Sequence, residues 1–166
     1  MTGIDIVVRP AAPGDAEAIC TIYNQGIEDR IATLETQLRT PSERRQWLAS
    51  RGPRHPVIVA EIGGHVLGWG SLNAFNPRDA YRHVADFSVY VERGSRVRGI
   101  GRRLLERLIE LARDIGYHKI VLSAFPFNET GMALYTKMGF TRVGIYREQG
   151  LLDGKWVDTV IMERLL

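Results

Sequence analysis

Residues Val89 to Leu108 read VYVERGSRVRGIGRRLLERL. An apolar run suited to a strand enters a turn rich in Arg and Gly, and the turn opens directly into an amphipathic helix. The first turn of a helix carries N–H groups without intrahelical partners, and the helix dipole adds partial positive charge there. Gly99 and Gly101 allow an anion to approach the backbone of Ile100 closely, while Arg96, Arg98, Arg102 and Arg103 supply charge. The segment reads as a seat for a phosphorylated ligand. Its plainer reading is a glycine-containing connection with solvated arginines. Two other phosphate motifs are absent. No Lys-Ser/Thr pair closes the turn as in an ATP-binding loop, and Leu104 stands where the dinucleotide fingerprint has Gly or Ala.

Val84 to Val91 is a strand apolar on both faces except at Asp86 and Ser88, which predicts a central place in a sheet. Ile4 to Arg9 reads as a first strand, and Pro13-Gly14-Asp15 opens a helix running to about Ile27. Arg30 to Arg39 is irregular. Thr40-Pro41 caps a second helix carrying Trp47 and Leu48, ending near Gly52-Pro53. Pro56 to Ile62 and His65 to Asn73 form a hairpin about Gly63-Gly64. Downstream, Ile100 to Ile115 is a helix with an apolar stripe and a charged back, stopped by Gly116. Ile120 to Ala124 is a short buried strand, and Asn128 caps a helix ending at Gly139. Thr141 to Tyr146 and Trp156 to Met162 make a terminal hairpin around Asp153-Gly154. The order β-α-α-β-β-β-α-β-α-β-β predicts a single α+β domain over residues 1–166. Its sheet is mixed and mostly antiparallel, of about seven strands, with helices on both faces.

The 166 residues suffice to bury a core without metal or disulfide, and no metal is expected. The single Cys20, among Ile19, Ile22 and Ile27, reads as a packing residue. Net charge is +3, but five arginines and no acid fall between Arg93 and Arg103. That cluster suits an anionic small molecule as well as nucleic acid. The mixed charge elsewhere argues against an extended nucleic-acid face, and the cluster lacks the interleaved aromatics of a single-strand binder. No apolar run reaches membrane-spanning length and no secretory leader is evident, so a cytoplasmic protein without membrane association is expected.

A second motif follows at the right distance. Residues 128–140 read NETGMALYTKMGF, after the strand Ile120 to Ala124. The R-x-x-G-x-G turn at Arg96 to Gly101 and the N-x-x-x-x-x-x-Y-x-x-x-G-F helix at Asn128 to Phe140 together resemble the GNAT superfamily of acetyl-CoA-dependent N-acetyltransferases, as does the order of elements over nearly the whole chain.

The resemblance implies an enzyme with acetyl-CoA as its cofactor. The pyrophosphate would rest on the amides of Arg98, Gly99, Ile100, Gly101, Arg102 and Arg103, with Arg96 contributing charge. The pantetheine arm would pair along the preceding strand at Val89, Tyr90 and Val91. Asn128 matches the residue that hydrogen-bonds that arm, and Tyr135 the general acid near the thioester sulfur. Tyr135 also reads simply as a core aromatic. The chemistry needs a group to accept the ammonium proton, a backbone N–H for the developing oxyanion and a proton for the departing thiolate. Asp86 is the candidate base, and its plainer reading is a carboxylate satisfied by a neighbouring Arg or His83.

Residues 75–81, FNPRDAY, together with Thr33-Leu34-Glu35-Thr36 and Asp153-Gly154-Lys155-Trp156, are similar to the phosphinothricin, methionine sulfone, methionine sulfoximine and arsinothricin N-acetyltransferases. That branch implies a small glutamate-like substrate, acetylated on its α-amine in a detoxification role, and a homodimer. Arg78 and Arg82 would hold its anionic groups, since a guanidinium fork matches an oxyanion in two-point geometry, with Thr33 and Glu35 lining the same pocket. The chain departs from the phosphinothricin pattern twice. Asp86 stands where Glu is usual, which shortens the reach and favours a water relay, and Tyr135 stands where His occurs. Two alternatives remain: acetylation of a protein N-terminus or ribosomal protein, and a non-catalytic acyl-CoA- or nucleic-acid-binding module.

Overall fold

Seven strands build one sheet because the apolar runs are short, rich in Val and Ile, and separated by turn residues. The computed structural model describes residues 5–96 and 98–166. The strands are β1 Val7–Pro10, β2 Val57–Ile62, β3 His65–Ala74, β4 Val84–Val91, β5 Lys119–Ala124, β6 Thr141–Leu152 and β7 Lys155–Leu165. The helices are α1 Ala16–Asp29, α2 Pro41–Ala49, α3 Ile100–Ile115 and α4 Glu129–Lys137. Spatial order is β1-β2-β3-β4-β5-β7-β6, and among the described residues only β4 and β5 pair in parallel. The α+β order and the central place of β4 are as expected from the sequence.

Element limits differ where local chemistry is irregular. Ile4, expected in the first strand, lies outside the described residues. α1 is preceded by a separate 3₁₀ turn at Pro13–Asp15, where the Asp15 carboxylate accepts from the Ala12 N–H and bonds Arg9. α2 ends at Ala49, before Gly52-Pro53. The final hairpin is longer than expected, because β6 continues through two register shifts, one between Tyr146 and Gly150. Glu148 there takes φ of 50°, and such a bulge breaks the period-two pattern that marks a strand.

The core lies mainly under α3. Its stripe of Ile100, Leu104, Leu105, Leu108, Ile109 and Ala112 is buried against Ile58, Leu72, Ala85 and Ile120. Each such Leu contributes roughly 1.5–3 kcal/mol on burial, so α3 is firmly seated. Gly68 of β3 permits the close approach: a Cβ there would sit 2.8 Å from Ile100 Cγ2. On the other face α1 and α2 cover an aromatic group in which Trp69 stacks on Tyr90 at 5.1 Å, with Tyr23 and Trp47 edge-on to Trp69. Alternation along β4 therefore sends Phe87 and Val89 to the α3 side, and Asp86, Ser88 and Tyr90 to the α1 side.

Candidate active site

The site begins where a ladder stops. β4 pairs with β5 only at Val84–Lys119, Ala85–Ile120 and Asp86–Val121, although β4 stays paired to β3 as far as Val91–Gly68. Beyond Asp86 the two parallel strands part, so the edge of β4 facing β5 has backbone groups free for another partner. A cavity fills the gap. Phe87 to Tyr90 form one wall, Leu122 to Phe125 the other, and Asn128 and Tyr135 close it from α4. A second cavity shares Ala32, Ser123, Ala124 and Phe125 with the first and runs beneath Thr33 and Leu34. The two adjoin, one along the strands and one under the loop after α1.

The N-terminus of α3 stands at the open end of the parted strands. Gly99 precedes it with φ of 84°, in the left-handed region that glycine enters without cost, and a Cβ there would meet nothing within 4 Å. No side chain caps the helix and its first turn carries no acid. The Arg103 N–H bonds the Gly99 carbonyl at 3.1 Å, which leaves the N–H groups of Ile100, Gly101 and Arg102 without intrahelical acceptors. A Cβ on Gly101 would lie 3.7 Å from both Val91 and Leu134, so this turn, the end of β4 and α4 converge.

The arginines divide into two groups. Arg96 pairs with Asp29 at the end of α1 at 2.7 Å, and Arg93 bonds the same carboxylate at 2.7 Å. These bonds, Arg93's first, hold the Asp29 carboxyl below the usual carboxylate range. Arg96 thus ties the turn to α1 in addition to adding charge. Arg102 pairs with Glu106 at 2.9 Å, while Arg98 and Arg103 are exposed.

Tyr135 has its ring against Phe87 and Phe140, and burial raises its phenol above the ordinary value. Asn128 caps α4 through Oδ1, which accepts from the Gly131 N–H at 3.1 Å. Asp86 is largely buried, and desolvation raises its carboxyl above the ordinary value against the opposing effects of an Asn73 hydrogen bond and the Arg51 charge. It does not reach either cavity wall; Ser88, two residues on, does.

The expected substrate residues are not gathered in one place. Thr33 lines the second cavity near the buried Tyr90 hydroxyl. Glu35 turns inward to its own loop, accepting from the Thr36 and Gln37 N–H groups and pairing with Arg39. Arg78 and Arg82 are exposed on the segment before β4, with Arg82 paired to Asp79 at 2.8 Å. Three residues not anticipated from the sequence enter the picture. Thr159 is 3% exposed, lines the second cavity and has no partner for its hydroxyl among the described residues. Asn73 and Arg51 stand behind Asp86. Asn73 sits in a strand otherwise read for its apolar pattern, and its role depends on facing Asp86 across the β3–β4 register.

A family model described as acetyltransferase (GNAT) family matches residues 20–140. The chain belongs to that family. The L-amino acid N-acyltransferase MnaT of Escherichia coli K12 is 32% identical over 157 residues, covering 94% of this chain and 91% of its own length. The crystal structure of a ribosomal-protein-alanine N-acetyltransferase from Brucella melitensis is similar with a TM-score of 0.93 and 35% identity, covering 96% of this chain and 99% of that one. A phosphinothricin acetyltransferase from Sinorhizobium meliloti, solved in complex with acetyl-CoA, is similar with a TM-score of 0.92 and 28% identity, covering 97% and 88%. No helix among the described residues is long and apolar enough to cross a membrane, and they contain no cluster of three or more metal-ligating side chains.

Proposed function

We propose that this GNAT enzyme transfers an acetyl group from acetyl-CoA to the α-amine of a small glutamate-like amino acid or toxin, such as phosphinothricin, methionine sulfoximine, methionine sulfone or arsinothricin. The observation that carries the reading is the parting of β4 and β5 after Asp86–Val121 into a cavity that ends at an uncapped glycine-led helix start. Acetyl-CoA fits these residues. The free N–H groups of α3 would donate to its diphosphate, the unpaired edge of β4 at Val89 to Val91 would meet the amides of its arm, and Asn128 would face that arm. When bound, it supplies an acyl group activated as a thioester.

The chain's own groups do the rest. The acceptor amine enters through the second cavity, past Thr33 and Thr159, in a ternary complex and without a covalent enzyme intermediate. Asp86 receives the ammonium proton through water at Ser88, because its carboxylate stops short of the cavity. A β4 backbone N–H donates to the carbonyl oxygen as charge builds there. Tyr135, kept protonated by its buried position, gives its proton to the leaving sulfur. Arg78 and Arg82, exposed on the segment before β4, attract anionic substrates. The protein works in the cytoplasm as a detoxifying homodimer, whose contact face includes Tyr146, Leu151 and Trp156, exposed on the terminal hairpin.

The test is release of free thiol from acetyl-CoA with each amino acid in turn. Acetylation of at least one, at the α-nitrogen by mass spectrometry, is the expected result. A second reading, transfer to a protein N-terminal alanine, draws support from the Brucella relative. Acetylation of Ala-initiated peptides with no turnover of free amino acids would replace the first reading.

A further inference from the structure

Behind Asp86 lies a small polar network inside an apolar sheet. Asn73 faces Asp86 across the β3–β4 register. Its Oδ1 receives two donors, Arg51 at 2.9 Å and Ser71 Oγ at 3.0 Å. A guanidinium only donates, so the amide oxygen must face Arg51 and the amide nitrogen must face away. That nitrogen donates to Ser88 Oγ at 3.2 Å and lies on the side of Asp86, whose carboxyl the Asn73 amide holds down against the effect of burial. Arg51 is itself fixed, by the His55 carbonyl at 3.0 Å, by the Leu72 carbonyl and by the Trp47 ring at 4.8 Å. No carboxylate pairs with it among the described residues.

We propose that Asn73, with its amide oriented by Arg51, is a positioning residue that holds the Asp86 carboxylate and the Ser88 hydroxyl in their working arrangement. The inference rests on the reading of Asp86 as the base. One amide hydrogen stabilises the ionised carboxylate in a place where burial opposes charge. The other occupies a lone pair of Ser88 Oγ and leaves the hydroxyl hydrogen free to turn to the cavity side. Asn73 and Arg51 line neither cavity, so they act on the reaction only through Asp86 and Ser88. Around Asp86, β3 presents Asn73, β5 presents Val121, and β4 itself presents Ser88; Arg51, following α2, is the charged group that reaches it. Arg51 in turn feels Tyr117 and Arg44.

The test is the pH profile of kcat in Asn73→Leu and Arg51→Lys, each also in an Asp86→Asn background, with melting temperature and the KM for acetyl-CoA measured alongside. Loss of one hydrogen bond to a buried carboxylate moves the acid limb of kcat up by about one pH unit. Asn73→Leu should show that shift, Arg51→Lys a smaller one, and acetyl-CoA KM should stay within about twofold, as expected for groups outside the cavity. Neither variant should move the profile once Asp86 is Asn. A uniform fall in kcat at all pH values, a lower melting temperature with an unmoved limb, or a shift that persists without Asp86 would overturn the proposal. If Asn73→Leu does not fold, Arg51→Lys and Asn73→Ser are judged by the same criteria. The two readings separate cleanly. If Asp86→Asn alone leaves the profile unchanged, the base assignment fails and takes this inference with it. If Asp86→Asn erases the limb while Asn73→Leu leaves it in place, the positioning role alone fails.

Discussion

Asp86 and Val121 face each other as the last paired positions of β4 and β5. One residue further along, the strands open into the cavity, so Asp86 stands at the root of the fork with its side chain on the α1 side of the sheet. Burial there raises its carboxyl above the ordinary range. A raised carboxyl favours the neutral folded form, so its contribution to stability is fullest at low pH and is lost as pH climbs through the folded value. Asp86→Asn stays neutral at every pH. Its melting temperature should match wild type near pH 4 and exceed it at pH 7.5, as read by calorimetry. Turnover should move the other way. A general base is worth on the order of 10²-fold or more, so kcat should fall by about that factor near pH 6.5, with the deficit shrinking toward pH 9 as the amine deprotonates unaided. A destabilised Asp86→Asn with normal turnover would remove the residue from the mechanism.

The phosphate seat makes a graded prediction at Gly101. A methyl group fits, since the nearest atoms to an added Cβ lie 3.7 Å away, in ordinary contact. Gly101→Ala should therefore keep most acetyl-CoA affinity. Gly101→Glu brings a carboxylate to N–H groups meant for a diphosphate and should weaken binding by more than about tenfold, or 1.4 kcal/mol. Calorimetric titration of both variants checks it, and equal affinities would argue against the seat.

The turn and the helix after it were legible because glycine and arginine there serve a backbone geometry: the left-handed φ of Gly99 and the bare first turn of α3 follow from local sequence. The order of elements was legible for the same reason, since period and punctuation are local. What stayed hidden depends on register. The sequence cannot say that Asn73 lands opposite Asp86, or that an acid 67 positions before Arg96 (at Asp29) will claim that guanidinium. Nor does it show that β4 and β5 stop pairing after three residue pairs. Glu35 illustrates the converse: its position near the site is local information, but its carboxylate is consumed by its own loop.

Asp29 holds the turn to α1 through Arg93 and Arg96. These groups are partly exposed, so the pairs stabilise the fold only weakly in salt. Their effect should appear in ligand binding instead. Asp29→Asn loosens Arg96 and should raise the KM for acetyl-CoA by about two- to fivefold while leaving kcat at saturation near wild type, the pattern of lost uniform binding. Steady-state kinetics at two salt concentrations measure it, and an unchanged KM would reduce the ion pair to a surface contact.

Tyr135 offers the sharpest separation of chemistry from packing. Its ring lies against Phe87 at 5.9 Å and Phe140 at 6.3 Å, both edge-on. Tyr135→Phe keeps those contacts and removes only the hydroxyl, so melting temperature should change little. As the proton donor to the departing thiolate, the hydroxyl should be worth about 10²-fold in kcat, with KM values for both substrates nearly unchanged. The raised phenol makes the basic limb informative too: any fall in wild-type kcat from Tyr135 ionisation should come at higher pH than for an ordinary tyrosine. A thioester with a more acidic leaving group needs less help, and Tyr135→Phe should regain much of its rate on such an acetyl donor. A loss that is the same for good and poor leaving groups would mean that Tyr135 shapes the cavity without donating a proton.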